Sequence, residues 1–234
     1  MSESEVSRIH NVYAARAKRL AGSVTADPAN PGNLRFREEL RRRLTRVLAE
    51  RFPRPLSACR ALDVGCGWGG VLGWLHEAGV PAAGLFGVDL LPASIAVARE
   101  RFPDFTLRVA NAERLEFDDG SFDLVVLCTV FSSIFDQGMA ENLAREIDRV
   151  LAPGGAVVWY DIRYPNPSNP QVRRITKARI ASLFPGYTLE LERLTLLPPL
   201  ARRLGGLTDV AYPVLASIPL LCTHHFGLLR PPRR

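Results

Sequence analysis

The chain has no uninterrupted apolar run of about 18 residues, the length a helix needs to cross a bilayer. Its longest apolar stretch, Val210 to Cys222, is broken by Pro213 and Pro219, so no membrane span is expected. A secretory leader is not expected either, because the opening Met1-Ser2-Glu3-Ser4-Glu5 is acidic and polar. Cysteine is scarce: Cys59, Cys66, Cys128 and Cys222 lie far apart without a C-x-x-C pair. That argues for reduced, buried thiols, a cytoplasmic setting and no zinc site. Only four histidines are present, and no spacing among them suggests a metal ligand set. Internal repeats and low-complexity segments are absent.

What is present is enough apolar residue, 47% of 234, for one large α/β domain. The net charge is +6, unevenly spread. Seven arginines fall between Arg35 and Arg51, and Arg230, Arg233 and Arg234 end the chain. A solvated helix face and a basic tail explain them more simply than a nucleic-acid patch.

Apolar spacing predicts a first helix over 5–20, with Val6, Ile9, Tyr13, Ala17 and Leu20 on one face. A second carries Phe36, Leu40, Leu44, Val47 and Leu48 and stops at Phe52-Pro53-Arg54-Pro55. Strands and helices then alternate. Strands are expected at 60–66, 83–90, 105–110, 122–128 and 156–162, with helices at 68–79, 92–102 and 137–151 and a loop or short helix across 111–121. This alternation implies a parallel sheet covered on both faces. Beyond it, a helix is expected at 172–184, a strand at 188–197, helical pieces over 198–219 and a last strand at 224–229.

The most informative run is Ala61-Leu62-Asp63-Val64-Gly65-Cys66-Gly67-Trp68-Gly69-Gly70, followed by Gly87-Val88-Asp89-Leu90. A buried strand breaks into glycines and opens a helix, and the next strand ends in a carboxylate twenty residues after Gly69. Such a turn lets a cofactor approach bare backbone, and the acid can hold two ribose hydroxyls. With Asn111-Ala112-Glu113-Arg114-Leu115-Glu116-Phe117-Asp118-Asp119-Gly120 and Arg149-Val150-Leu151-Ala152-Pro153-Gly154-Gly155 in the same order, the chain resembles a class I S-adenosylmethionine-dependent methyltransferase. Within that class it resembles the type 11-like, small-molecule branch. These blocks span residues 60–162, under half the chain. A dinucleotide dehydrogenase would share the glycine turn, but it would not explain the Pro-Gly-Gly block.

The resemblance implies a Rossmann-like, doubly wound seven-stranded sheet, with six strands parallel and the last antiparallel. It also implies an N-terminal helical lid, residues 1–55, on a core of 56–234 whose acceptor-side elements lie in 163–222. S-adenosylmethionine is the implied cofactor and S-adenosylhomocysteine its product. Gly65, Gly67 and Gly69 would let the methionine part lie on backbone. Asp63 would orient the loop or meet the ammonium, and Asp89 would hold the ribose. Leu90, Asn111 and Ala112 would meet the adenine. The family often has Asp where Asn111 stands, and an amide oxygen can still accept from the adenine amine. Thr129 would lie beside the methionine, while Tyr13, with Arg16 nearby, would cover the cofactor.

Acceptor contacts are expected beyond the carboxyl ends of the strands: Phe131 with Ser132 and Ser133, then Tyr160, Asp161, Arg163, Tyr164, Asn166 and Asn169. Asp161 is a candidate catalytic residue. So are His224 and His225, as a general base for hydroxyl methylation. No metal is expected. The expected partner is a small-molecule acceptor, an oxygen of a sugar, lipid-linked glycan or natural product, rather than nucleic acid; a homodimer stays open. Two alternatives remain. One is an RNA or protein methyltransferase that uses the Arg-rich helix 35–51. The other is a non-catalytic S-adenosylmethionine-binding regulator.

Overall fold

In the computed structural model, residues 3–20, 23, 25, 27–165 and 169–232 are described. Asn166 therefore lies outside the described residues. Two helices, α1 (Glu3–Leu20) and α2 (Pro31–Arg51), precede the alternating core. That core runs β1 (Ala61–Val64), α3 (Gly70–Glu77), β2 (Leu85–Asp89), α4 (Pro92–Arg101) and β3 (Thr106–Val109). It continues with β4 (Phe122–Cys128), α5 (Gln137–Val150), β5 (Leu151–Ile162), α6 (Lys177–Leu183) and β6 (Thr188–Leu196). Two short helices, α7 (Pro198–Arg203) and α8 (Thr208–Ala216), lead into β7 (Cys222–Arg230).

The seven strands form one sheet in the order β3-β2-β1-β4-β5-β7-β6. β1 pairs in parallel with β2 and β4, and β2 with β3 and β4 with β5 do likewise. β7 runs antiparallel to both β5 and β6, so β6 points the same way as the first five strands. The expected six parallel strands and antiparallel last one are present. Strand order reverses at β1, where β2 and β4 flank it. That reversal opens a crevice at the carboxyl ends of these strands.

Period-two alternation sends neighbouring residues to opposite faces. Leu62, Val125, Leu127, Val157 and Trp159 enter the core that α1, α5 and α6 cover. Ala61, Leu124, Val126, Val158 and Phe226 enter the opposite core, beneath α2, α3 and α4. α5 is the clearest amphipathic element. Met139, Leu143, Ile147 and Val150 face inward, and the Asp136 side chain caps it by accepting from Met139 N at 2.7 Å.

Two sequence expectations need correction. The helix expected at 172–184 begins only at Lys177. Its first residues stay out of the helix, where Arg173 N donates to Ser132 O and Ile175 N to Ile162 O, tying that segment to the sheet end. α2 is not part of a lid over the crevice; it packs against α3, β6, α7 and α8. Its arginines form a solvated face, as the sequence suggests, and that face is laced with ion pairs. Arg41 pairs with Glu38 and Glu77, Arg43 with Glu192, Arg46 with Glu50 and Arg51 with Glu190. No helix among the described residues is long and apolar enough to cross a membrane.

Candidate active site

A cavity of about 410 Å³ fills the crevice at the carboxyl ends of β1, β2 and β4, within the size range of small-molecule and cofactor sites. Its base is the turn after β1. Gly65 and Gly67 line it with backbone at φ 74° and 52°, a left-handed conformation that side chains resist. A methyl group added at Gly67 would meet no protein atom within 4 Å. The protein therefore leaves open space where that backbone faces the cavity.

Asp89, at the tip of β2, organises this turn. Its Oδ2 accepts from Gly67 N at 2.9 Å and its Oδ1 from Leu91 N at 2.8 Å. A carboxylate has about four acceptor positions, so two remain for a ligand. Asn111, after β3, accepts from Glu113 N at 3.0 Å and donates through Nδ2 to Glu113 Oε2 at 2.9 Å. Asn142 Nδ2 holds the other Glu113 oxygen at 3.0 Å. The polar end of the cavity is thus a braced Asn111–Glu113 pair, with Leu90 and Ala112 beside it and Met139 and Leu143 of α5 across from it.

α1 supplies another part of the wall. Ile9 and Tyr13 line the cavity, and the Tyr13 hydroxyl lies 3.0 Å from Ser133 Oγ. One turn earlier, buried Glu5 accepts from Phe135 N at 2.5 Å and Asp136 N at 3.3 Å. Arg8 grips the same carboxylate with two nitrogens, donates to Ser133 O and lies over the Phe135 ring. These bonds hold the Glu5 carboxyl down at about 2, with Arg8 the largest cause. Thr129 completes the wall. It takes a left-handed backbone, φ 58°, and its N–H donates to Tyr160 O at 2.7 Å, anchoring the end of β4 to β5.

The comparisons with known proteins fall on this architecture. Residues 61–155 match the model of a methyltransferase domain. The chain is 39% identical over 116 residues to the phthiotriol/phenolphthiotriol dimycocerosates methyltransferase of Mycobacterium leprae, covering 49% of this chain and 40% of that one. It is 34% identical over 131 residues to the demethylmenaquinone methyltransferase of Thermus thermophilus, covering 54% of each. Residues 61–155 are thus similar to a methyltransferase domain, and the sheet order is that of the class I S-adenosylmethionine-dependent methyltransferase fold.

The chain spans about half the length of the curated relatives it matches. Among solved structures, the 1,6-didemethyltoxoflavin-N1-methyltransferase of Burkholderia thailandensis superposes with a TM-score of 0.65 at 16% identity. That match covers 99% of this chain and 91% of that one. The geranyl diphosphate C-methyltransferase of Streptomyces coelicolor superposes with 0.62 at 16% identity, covering 82% and 77%. At such identity the likeness establishes the fold.

The cofactor of this class fits the donor set. Bare backbone at Gly65 and Gly67, a half-committed carboxylate at Asp89 and an apolar slot ending in Asn111–Glu113 suit a sulfonium nucleoside. Ten residues were expected to hold it, and eight line the cavity: Tyr13, Gly65, Gly67, Asp89, Leu90, Asn111, Ala112 and Thr129. The other two do not. Gly69 instead starts α3 at φ 75°, and a Cβ there would stand 2.9 Å from the Phe102 ring; it serves the turn and the packing of α4. Asp63 is buried beneath the turn with no partner for Oδ1. Burial, and then the charge of Asp89, push its carboxyl well up.

The acceptor-side and catalytic expectations are more heavily revised, since among those described residues Ser133 alone lines the cavity. Phe131 is core, stacked on Trp159 with ring centroids 5.2 Å apart. Tyr160 is buried, hydrogen-bonded to Thr195 Oγ1 at 2.8 Å. Its ring stacks on His224, 4.4 Å away and only 3° from parallel. Burial pushes His224 down to about 3. His225 goes to about 4, by burial and then by Arg163. Interior imidazoles this reluctant to protonate do not fit the general-base role.

Asp161 accepts from Ser132 N at 3.0 Å and its own chain's Ile162 N at 2.8 Å. It positions the loop after β4, and burial raises it to about 6. Arg163 donates to Pro219 O at 3.0 Å and Cys222 O at 2.8 Å and lies over the Tyr164 ring. Asn169 accepts from Gln171 N at 3.4 Å, within its own loop.

Sequence reasoning missed Glu113, Ser94, Trp68 and the α5 pair Met139 and Leu143 as cavity residues. Glu113 stood two residues from Asn111, a visible signal. Met139 and Leu143 were assigned to the core stripe of α5, which is also where the cavity opens.

Proposed function

We propose that this chain binds S-adenosylmethionine in the β1–β2–β4 cavity and transfers its methyl group to a small-molecule acceptor of largely apolar character. One observation carries the reading: backbone at Gly67 faces open space while Asp89, braced by two amide donors, stands at the same rim. The relatives support the acceptor class. Their names give acceptors that are phthiotriol and phenolphthiotriol dimycocerosates, demethylmenaquinone and, in a Caenorhabditis elegans relative, a sterol.

The cofactor supplies an electrophilic methyl on a sulfonium when bound. The protein's part is binding, alignment and exclusion of water, and alignment alone contributes roughly 7–11 kcal/mol. Asp89 takes the ribose hydroxyls, with its charge held in place by Gly67 N and Leu91 N. The Asn111 amide oxygen, already bonded to Glu113 N, keeps one acceptor position for the adenine amine. Tyr13 and Ser133, bonded to each other in the cavity wall, stand on the side assigned here to the acceptor. No histidine lines the cavity among the described residues, so the reading favours an acceptor that needs orientation more than a strong base. The Tyr13–Ser133 hydroxyl pair is the polar group placed to orient it.

The test is incubation of cell extract with S-adenosylmethionine labelled in the methyl group, followed by mass analysis of the labelled product. A labelled small apolar molecule supports the reading. Label found only in RNA or protein, or no transfer despite cofactor binding, contradicts it.

A further inference from the structure

Among the described residues, most exposed large apolar side chains lie on the insertion between β6 and β7. Val210 is 76% exposed, Leu220 74%, Leu207 68% and Val214 64%, with Ile218 and Leu197 beside them. Leu207, Val210 and Val214 recur at helical spacing along α8, so they share its outward face. The inward face is finished: Tyr212 is buried, and its hydroxyl donates to Glu39 at 2.7 Å. Between 204 and 222 the only charged residue is Asp209, at the first turn of α8. A surface this apolar marks a contact site.

Charge tells what covers it. Arg203 is exposed at the end of α7, next to Arg202, which feels the charge of Arg16. On the other flank Arg163 holds Pro219 O and Cys222 O, and Arg193 acts on Cys222 electrostatically. An apolar face rimmed by arginine complements anionic headgroups over an acyl interior. A second copy of the chain would bring the same arginines face to face, which like charges oppose. The insertion follows the carboxyl end of β6, which is parallel to the strands whose carboxyl ends form the cavity. The face and the cavity therefore belong to the same end of the sheet.

We propose that the face formed by Leu207, Val210, Val214, Ile218 and Leu220 docks on an anionic lipid bilayer, with α8 lying in the interface. A nine-residue helix is too short to span and long enough to lie flat. The proposal goes beyond methyl transfer. Combined with it, docking delivers the cavity end to acceptors dissolved in lipid.

The test is cosedimentation of the whole chain with phosphatidylcholine vesicles, with and without an equal part of phosphatidylglycerol. The wild type should sediment with the anionic vesicles and lose binding as salt rises. Together, Val210→Asp and Val214→Asp should lower the bound fraction roughly tenfold, and Arg203→Glu should lower it less. Unchanged melting and S-adenosylhomocysteine binding of the variants show that the fold is intact. A wild type that stays in solution with anionic vesicles overturns the proposal, as does a double variant that sediments like wild type. Ultracentrifugation showing a dimer that the double variant dissolves, without vesicle binding, assigns the face to a second copy instead. Loss of cofactor binding by the wild type would refute the proposed function and leave the docking result standing.

Discussion

Asp89 does two jobs with one carboxylate: it pins the glycine turn through Gly67 N and Leu91 N and leaves acceptor positions facing the cavity. Asp89→Ala removes both, and hydrogen bonds to a charged acceptor contribute roughly 1.5–3 kcal/mol each. Cofactor affinity measured by calorimetry should fall at least about tenfold to a hundredfold. The two glycines separate by role. Gly69→Ala forces a side chain into a left-handed turn and against Phe102, so it should lower stability by about 1–3 kcal/mol in a urea melt. Gly67→Ala meets no protein atom, and its larger effect should appear in cofactor affinity.

Asp161 gives a pH signature. The folded protein holds its proton more tightly than the unfolded chain, so its contribution to stability is greatest below 3.8 and is lost as pH rises through about 6. Comparing Asp161→Asn with wild type by urea melts at pH 4 and pH 7, the balance should move toward the variant by roughly 2–3 kcal/mol at the higher pH.

At the scale of elements, α1 is held by a latch that no spacing rule reveals. Glu5 caps the start of the loop before α5, Arg8 bridges it to Ser133, and the Phe135 ring lies between Arg8 and Arg173. The Glu5 contribution is fully present above 4.5 and fades as pH falls toward about 2, with an upper size of about 3 kcal/mol. Glu5→Gln should loosen α1 alone, read as faster amide exchange over residues 5–13 while the strands stay protected. Equal protection in variant and wild type would remove the latch.

The strands and α5 were legible because burial on both faces writes long apolar runs and one-sided burial writes a helical stripe. The spacing of Val172 to Thr176 predicts an earlier start for α6, while two backbone bonds to Ser132 and Ile162 hold these residues out of the helix. A tertiary bond of that kind leaves no local mark.

For the molecule as a whole, eight of the ten residues expected around the cofactor could be read from sequence as cavity lining, whereas of the described acceptor-side candidates only Ser133 could. Gly65, Gly67, Asp89 and Asn111 sit at ends of successive parallel strands, where topology alone brings them together. Phe131, Tyr160, Asp161 and His224 also sit near strand ends, yet alternation and the β5–β7 pairing turn them into the interior. Polarity at a strand exit was a poor guide because interior backbone amides needed a carboxylate partner.

The central claim is that backbone at 65–67 and the carboxylate of Asp89 together bind S-adenosylmethionine. Titration of the folded chain with S-adenosylhomocysteine in a calorimeter tests it most directly. Saturable one-to-one binding, strongly weakened by Asp89→Ala, is the predicted result; no heat from well-folded protein, or unchanged binding in that variant, would contradict it.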